Sequence, residues 1–328
     1  MSQNIPGLTV VLPLVGAALV LLIAYKSTRA ARGAAIFFLA LTLTSAMAGL
    51  RHVLVHGTWR YAFGDWMPPL GIEYSLDPLS GVMTVLIAGV ALLVAIYALP
   101  YLREESWLRQ GIFYTLFMLV ASGLLGMSST GDVFNLYVFL EISSLAAYGL
   151  IASGGPRGAV AAFRYLLIGT IAASFYLLGM GYLYMLTGTL NMADLSVLVK
   201  PMLNSTPAVI ALSMIVLGLA IKMAVFPLHG WLPDAYTYSA PPVAAFISAV
   251  MTKVYAYALL RLSYFVFGVS HGPLSPILTV MGWIAVVSII MGSVMAIAQR
   301  DFRRMLAYSS VDQIGYIVLG IAIGNVYA

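Results

Sequence analysis

The chain has 328 residues, 62% of them hydrophobic and only 8% charged, with a net charge of +5 and no cysteine. A soluble domain carries about 25% charged residues, so this composition excludes one, and the mean hydropathy of +0.99 agrees. Without cysteine the chain holds no disulfide and no cysteine-ligated zinc or iron–sulfur centre, and its scattered Lys and Arg residues form no basic, aromatic-interleaved patch for nucleic acid.

A spanning helix needs about 20 apolar residues. Charge-poor apolar runs supply ten, at roughly 8–25, 33–50, 79–99, 111–128, 133–152, 161–187, 207–226, 242–267, 275–298 and 306–326. The fold class is therefore all-α, a polytopic membrane bundle of about ten transmembrane helices. In lipid the backbone must satisfy its own hydrogen bonds, which helices do, and the alternating ten-residue strands of a barrel are absent. The first run lacks a positive leader and reads as a retained helix, not a cleaved signal. The connection 51–77 contains WRYAFGDW and GIEYSLD around a Pro-Pro-Leu-Gly turn and predicts a short hairpin on the membrane surface. Asp132 is placed to cap the fifth run.

Alternation of the spans puts Lys26, Arg29, Arg32, Arg103, Arg109, Arg157, Arg164, Arg300, Arg303 and Arg304 on one side. Arg51, Arg60, Lys200 and Arg261 fall on the other, with Arg164 and Arg261 at helix ends. Loop cations mark the cytoplasmic side, so this bias predicts a multi-pass protein of the cell's plasma (inner) membrane with its N-terminus outside. Lys222 and Lys253 belong to neither side; they lie inside spans.

Three ionisable residues sit where lipid-spanning sequence should be apolar: Glu141 in NLYVFLEISSLAAYGL, Lys222 near the end of the seventh run, and Lys253 in AVMTKVYAYALL. Each costs about 2.5–3.5 kcal/mol at a helix centre, and the three together ~8–10 kcal/mol by simple addition. Two readings stand. Glu141 and one lysine form a structural ion pair, with the other lysine held by water, a helix end or a third group; snorkelling covers Lys222 alone. Or the three form a proton relay, in which burial lowers a lysine's pKa and a nearby carboxylate raises it, so that movement of one loads or unloads the other.

The seventh run ends in AIKMAVFPLHGWLPDAY, where Pro227 and Pro233 predict a helix break. Pro241 and Pro242 suit the first turn of the next helix. His229 lies in this connection, and its neutral-range pKa suits proton passage, although a structural role is equally open. Asp234 reads as a helix cap. His52, His56 and His271 are too scattered to assign a metal site. No nucleotide loop, HExxH or catalytic triad is present.

The runs GDVFNLYVFLEISSLAAYGLIA, KMAVFPLHGWLPDAYTYSAPPVAAFISAVMTKVYAYALLRL and RDFRRMLAYSSVDQIGYIVLG resemble the antiporter-like subunits of respiratory complex I, a family that includes large subunits of multisubunit cation/proton (Mrp-type) antiporters and membrane-bound hydrogenases. The resemblance runs from about Asp77 to the end, and the GD–F-N–E pattern of the fifth run leans toward the antiporter and hydrogenase branch. It implies that Glu141 is the family's fifth-helix glutamate, Lys222 the seventh-helix lysine paired with it, Lys253 the eighth-helix lysine of the central hydrophilic axis, and His229 the histidine between them. Asp312 departs from the small polar residue usual there and reads either as an added proton stop or as facing water. The resemblance further implies three N-terminal helices with the hairpin (1–110), a complete five-helix repeat (helices 4–8, 111–268), and the start of a second, inverted repeat (269–328). The rest of that repeat is missing, so the chain is a fragment, a split subunit completed by another chain, or a reduced form.

The expected function is a proton-translocating subunit of a redox-driven or Mrp-type complex that performs no bond chemistry, carries no cofactor in this chain, and works with other membrane subunits in the lipid bilayer, not with nucleic acid. A stand-alone Na⁺/H⁺ antiporter and a non-pumping membrane scaffold are the alternatives.

Overall fold

The computed structural model describes residues 4–268 and 275–324, and among them ten helices are long and apolar enough to cross a membrane. His271 lies outside the described residues. In chain order the elements are α1 (Ile5–Lys26), α2 (Thr28–His56), strands β1 (Trp59–Ala62) and β2 (Glu73–Leu76), α3 (Pro78–Tyr101), α4 (Trp107–Ser129), α5 (Val133–Ala152), α6 (Pro156–Thr187), the short α7 (Met192–Leu198), α8 (Thr206–Met223), the short α9 (Leu232–Tyr238), α10 (Pro241–Phe246), α11 (Thr252–Leu260), α12 (Ser275–Ile297) and α13 (Phe302–Ile323). The eighth span, Pro241–Val266, contains α10 and α11 together with two wider π-helical turns, Ile247–Met251 and Arg261–Val266. All ten expected spans are present, and the long connection does form an antiparallel hairpin, with Tyr61 opposite Tyr74.

Helix boundaries follow local chemistry. Asp77 and Ser80 form a reciprocal capping box at the start of α3, with Pro78 in the first turn. Asp132 caps α5 by accepting from the Asn135 N–H at 2.7 Å, as its position in the sequence predicts. Burial pushes its carboxyl upward, opposed by the backbone donors Asn135 and Phe134.

The described chain forms two compact units. The first comprises Met1–Ser153 with Ala240–Val250, where α1 packs on α2 and α4, α4 on α5, and α3 on α2, α4 and α10. The second comprises Gly154–Ser239 with Met251–Ala328. There α6 packs on α8, α12 on α13, and α11 on both α8 and α13.

Lipid offers no hydrophobic drive for one apolar helix to meet another, so contact depends on close backbone approach at small residues. The α6–α8 pair shows this from both sides. A Cβ added at Gly179 of α6 would stand 2.6 Å from the Ala211 carbonyl oxygen, and one at Gly218 of α8 the same distance from the Ala172 carbonyl oxygen. Arg261, placed by the sequence at a helix end, is buried in its π-helical turn; its guanidinium lies 5.2 Å from the Phe265 ring and 6.0 Å from that of Tyr257.

Candidate functional site

The ionisable residues singled out in the sequence divide between the two units. Glu141 lies at mid-length in α5 of the first, half-buried, one turn beyond Tyr137. Lys222, His229, Lys253 and Asp312 all lie in the second, on α8, the connection after it, α11 and α13.

Lys222 is the penultimate residue of α8 and has no solvent exposure. The helix stops one residue later in a Schellman motif: the Ala224 N–H bonds to Ile221 O and the Val225 N–H to Ala220 O. Ala224 adopts the left-handed conformation at φ 62° and ψ 43°, a place where glycine is the usual residue. Trp231 then returns its indole N–H to Ile221 O at 2.9 Å and stacks flat on Tyr165 of α6, 3.7 Å between ring centroids. One carbonyl at the end of α8 is thereby satisfied inside the protein, as broken backbone at membrane depth requires.

Pro227 lies in this break, as the sequence predicts. Pro233 takes the first turn of α9, where its missing N–H costs nothing. His229, between them, is 7% exposed. Its ring stacks on Phe226 at 5.1 Å and meets Tyr308 of α13 edge-on at 5.9 Å, while Nδ1 is buried with no hydrogen-bond partner among the described residues. Burial lowers the imidazole pKa below its ordinary value, and a backbone hydrogen bond at Pro227 opposes the shift.

Tyr308 stands one helical turn before Asp312, so both occupy one face of α13. Asp312 is half-buried, and its Oδ1 is enclosed with no hydrogen-bond partner among the described residues. It stands against α12 at Gly292, where an added Cβ would come within 2.8 Å of the Asp312 backbone nitrogen. Ser288 of α12, fully buried, ties the break to this region: its hydroxyl accepts the Phe226 N–H at 3.2 Å and donates to Val311 O at 3.3 Å. Lys253 is the second residue of α11, directly after the π-helical turn 247–251, and is half-buried.

The expected cap at Asp234 is corrected. The residue before α9 is Trp231, and Asp234 instead receives Arg164 of α6 at 2.7 Å and Arg304 of α13 at 3.2 Å, one on each carboxylate oxygen. A cavity of about 350 Å³ flanks the break, lined by Val225–Leu228 and by apolar side chains of α8 and α12.

A bundle of spanning helices with ionisable groups enclosed beside a broken helix defines a polytopic membrane protein built around charge within the lipid layer. Residues 130–328 match the family described as NADH:quinone oxidoreductase/Mrp antiporter, transmembrane region, and residues 66–110 match the N-terminus of chain 5 of NADH-ubiquinone oxidoreductase (complex I). The chain belongs to this family of antiporter-like membrane subunits. It is 56% identical to NADH-quinone oxidoreductase subunit N of Desulforudis audaxviator over its whole length and 66% of that protein's. To a probable K⁺/H⁺ antiporter subunit of Rhizobium meliloti it is 34% identical, over 82% of this chain and 50% of the relative. Among solved structures, a chain of the archaeal membrane-bound sulfane sulfur reductase superposes with a TM-score of 0.91 at 31% identity, over 97% of this chain and 65% of that one. A chain of the Mrp complex from Dietzia gives 0.87 at 29% identity, over 98% and 59%. The chain thus spans about half to two thirds of the length of these relatives.

Proposed function

We propose that this protein is a proton-translocating membrane subunit of a redox-driven or Mrp-type complex, with Glu141, Lys222, His229 and Lys253 as its proton-carrying groups. The observation that carries the reading is the total enclosure of Lys222 at the end of a broken helix, a location too costly for an ammonium group that serves packing alone. Tyr308 and Asp312 extend the path from His229 along α13, with His229 Nδ1 and Asp312 Oδ1, which have no hydrogen-bond partner among the described residues, as proton acceptors at its two ends. The chain performs no bond chemistry and holds no redox centre; partner subunits hold any that the complex uses. Other membrane subunits surround it, and another chain or further sequence supplies the remaining helices of the second repeat. Its N-terminus faces outward, as the loop cations indicate.

The experiment is proton transport in vesicles reconstituted with the assembled complex. Lys222→Ala or Glu141→Ala abolishes transport while the complex still assembles, and Asp312→Asn or Tyr308→Phe slows it without abolishing it. Unimpaired transport with Lys222→Ala or Glu141→Ala in place rejects the reading. The similarity to a K⁺/H⁺ antiporter component favours the Mrp-type form of this reading, in which proton movement is coupled to a monovalent cation without redox partners. Copurifying subunits decide between the two forms, since flavin or iron–sulfur proteins point to the redox-driven complex and small membrane proteins alone to the antiporter.

A further inference from the structure

Three arginines converge where no proton-carrying role requires them. Arg157 and Arg164 of α6 and Arg304 of α13 line a pocket of about 500 Å³ with Asp234 and Tyr238 of α9 and Val160 of α6. Arg164 and Arg304 share the single carboxylate of Asp234, and the Arg157 guanidinium lies 5.9 Å from the Tyr238 ring centroid. Three guanidinium groups against one carboxylate leave the pocket with two positive charges in excess.

Its depth in the membrane follows from helix length. The 32 residues of α6 rise about 48 Å, against a hydrocarbon core of about 30 Å. About 18 Å of it therefore lies outside that core, and its only charged residues, Arg157 and Arg164, about 10 Å apart along the axis, assign the first turns to the headgroup layer. Between and beyond them the same helix carries an outward apolar stripe, Val160, Phe163, Leu167 and Ile171, exposed by 54, 60, 49 and 54%. Val160 belongs to both, so the basic pocket passes directly into the apolar stripe.

We propose that this pocket binds the phosphate headgroup of an anionic phospholipid whose acyl chains lie along that stripe of α6. Guanidinium groups suit phosphate because their planar donors match its oxygens. A free phosphate would use the pocket but leave the adjoining stripe without purpose, and this continuity selects the lipid. The proposal requires only that the chain spans a membrane and stands or falls apart from proton transport.

The test is native mass spectrometry of the full natural protein released from mixed phosphatidylcholine–phosphatidylglycerol vesicles. The unmodified protein retains phosphatidylglycerol in preference to phosphatidylcholine, and excess inorganic phosphate does not displace it. Arg157→Gln leaves both ion pairs of Asp234 in place, so it probes the pocket without dismantling it. It lowers the preference about fivefold, the effect of one basic residue at an anionic membrane surface, and Arg157→Glu lowers it further, while Arg157→Lys keeps most of it. Equal retention of both lipids, an unchanged preference in the Gln and Glu variants, or displacement by inorganic phosphate overturns the proposal, the last in favour of a soluble anion. Loss of a copurifying protein from the Arg157 variants, with lipid retention unaltered, overturns it in favour of a protein contact.

Discussion

His229 shows how one side chain links the break after α8 to acidity. Enclosed by Phe226 and Tyr308, its imidazole is held below its ordinary pKa because burial disfavours the charged form. The unfolded chain therefore binds a proton at a higher pH than the folded one, and stability falls as pH drops through the ordinary imidazole value of about 6.5, levelling off below the folded-state pKa. His229→Gln removes this dependence. Thermal unfolding of the purified protein between neutral and mildly acid pH reads it: the variant's melting temperature declines less on acidification than that of the unmodified protein, and parallel declines in the two refute the assignment. Nothing in the local sequence shows that this ring meets Tyr308, because the contact crosses 79 residues of chain and forms only when α13 reaches the break. Asp234 is the opposite case. Its place before an apolar turn suggests a cap, yet the pull of Arg164 and Arg304, both distant in sequence, wins over the local role.

Among the helices, α8 concentrates the constraints. Gly218 meets the α6 backbone so closely that even a methyl group forces the pair apart, and Lys222 follows one turn later. Gly218→Val therefore destabilises the protein by about 1–3 kcal/mol, the usual cost of overpacking, and shifts the end of α8 that positions Lys222. Gly181→Ala on α6 supplies the control, since an added Cβ there meets nothing within 4 Å and alanine favours the helix. A lowered melting temperature for Gly218→Val beside an unaltered or raised one for Gly181→Ala is the expected pair of results; equal effects would show that the α6–α8 approach does not matter. The spans themselves are legible in the sequence because uninterrupted apolar runs have few alternatives in lipid. The break after Met223 is foreshadowed by Pro227, but its end three residues earlier than the run suggests is not, since it depends on Ala224 entering the left-handed region and on the Trp231 indole reaching back to Ile221. The π-helical turns flanking α11 leave no mark in residue type either. Both lie in runs that read as ordinary apolar helix, although one ends two residues before Lys253 and the other contains Arg261.

For the molecule in its membrane, the direction of proton entry depends on which face carries the end of α8. Alternation of ten spans puts that end, the start of α6 and the start of α13 on the same face as the α3–α4 connection, and the opposite face carries the hairpin. The excess of Lys and Arg toward helix ends on the former face, ten against four, supports the proposed orientation of that face toward the cytoplasm. In that orientation Lys222 and His229, at and beyond the end of α8, lie nearer the cytoplasm than Lys253 within the eighth span, and the proposed relay takes a cytoplasmic proton at those two first. The absence of cysteine makes the orientation easy to measure. Thr58→Cys in the connection before the hairpin and Glu104→Cys in the α3–α4 connection are both exposed positions. In intact cells a membrane-impermeant maleimide labels the first and spares the second, which reacts only after the membrane is opened. The reverse pattern would place the α8 break and the arginine pocket on the outer face, and a proton passing through Lys222 would then be leaving the protein rather than entering it.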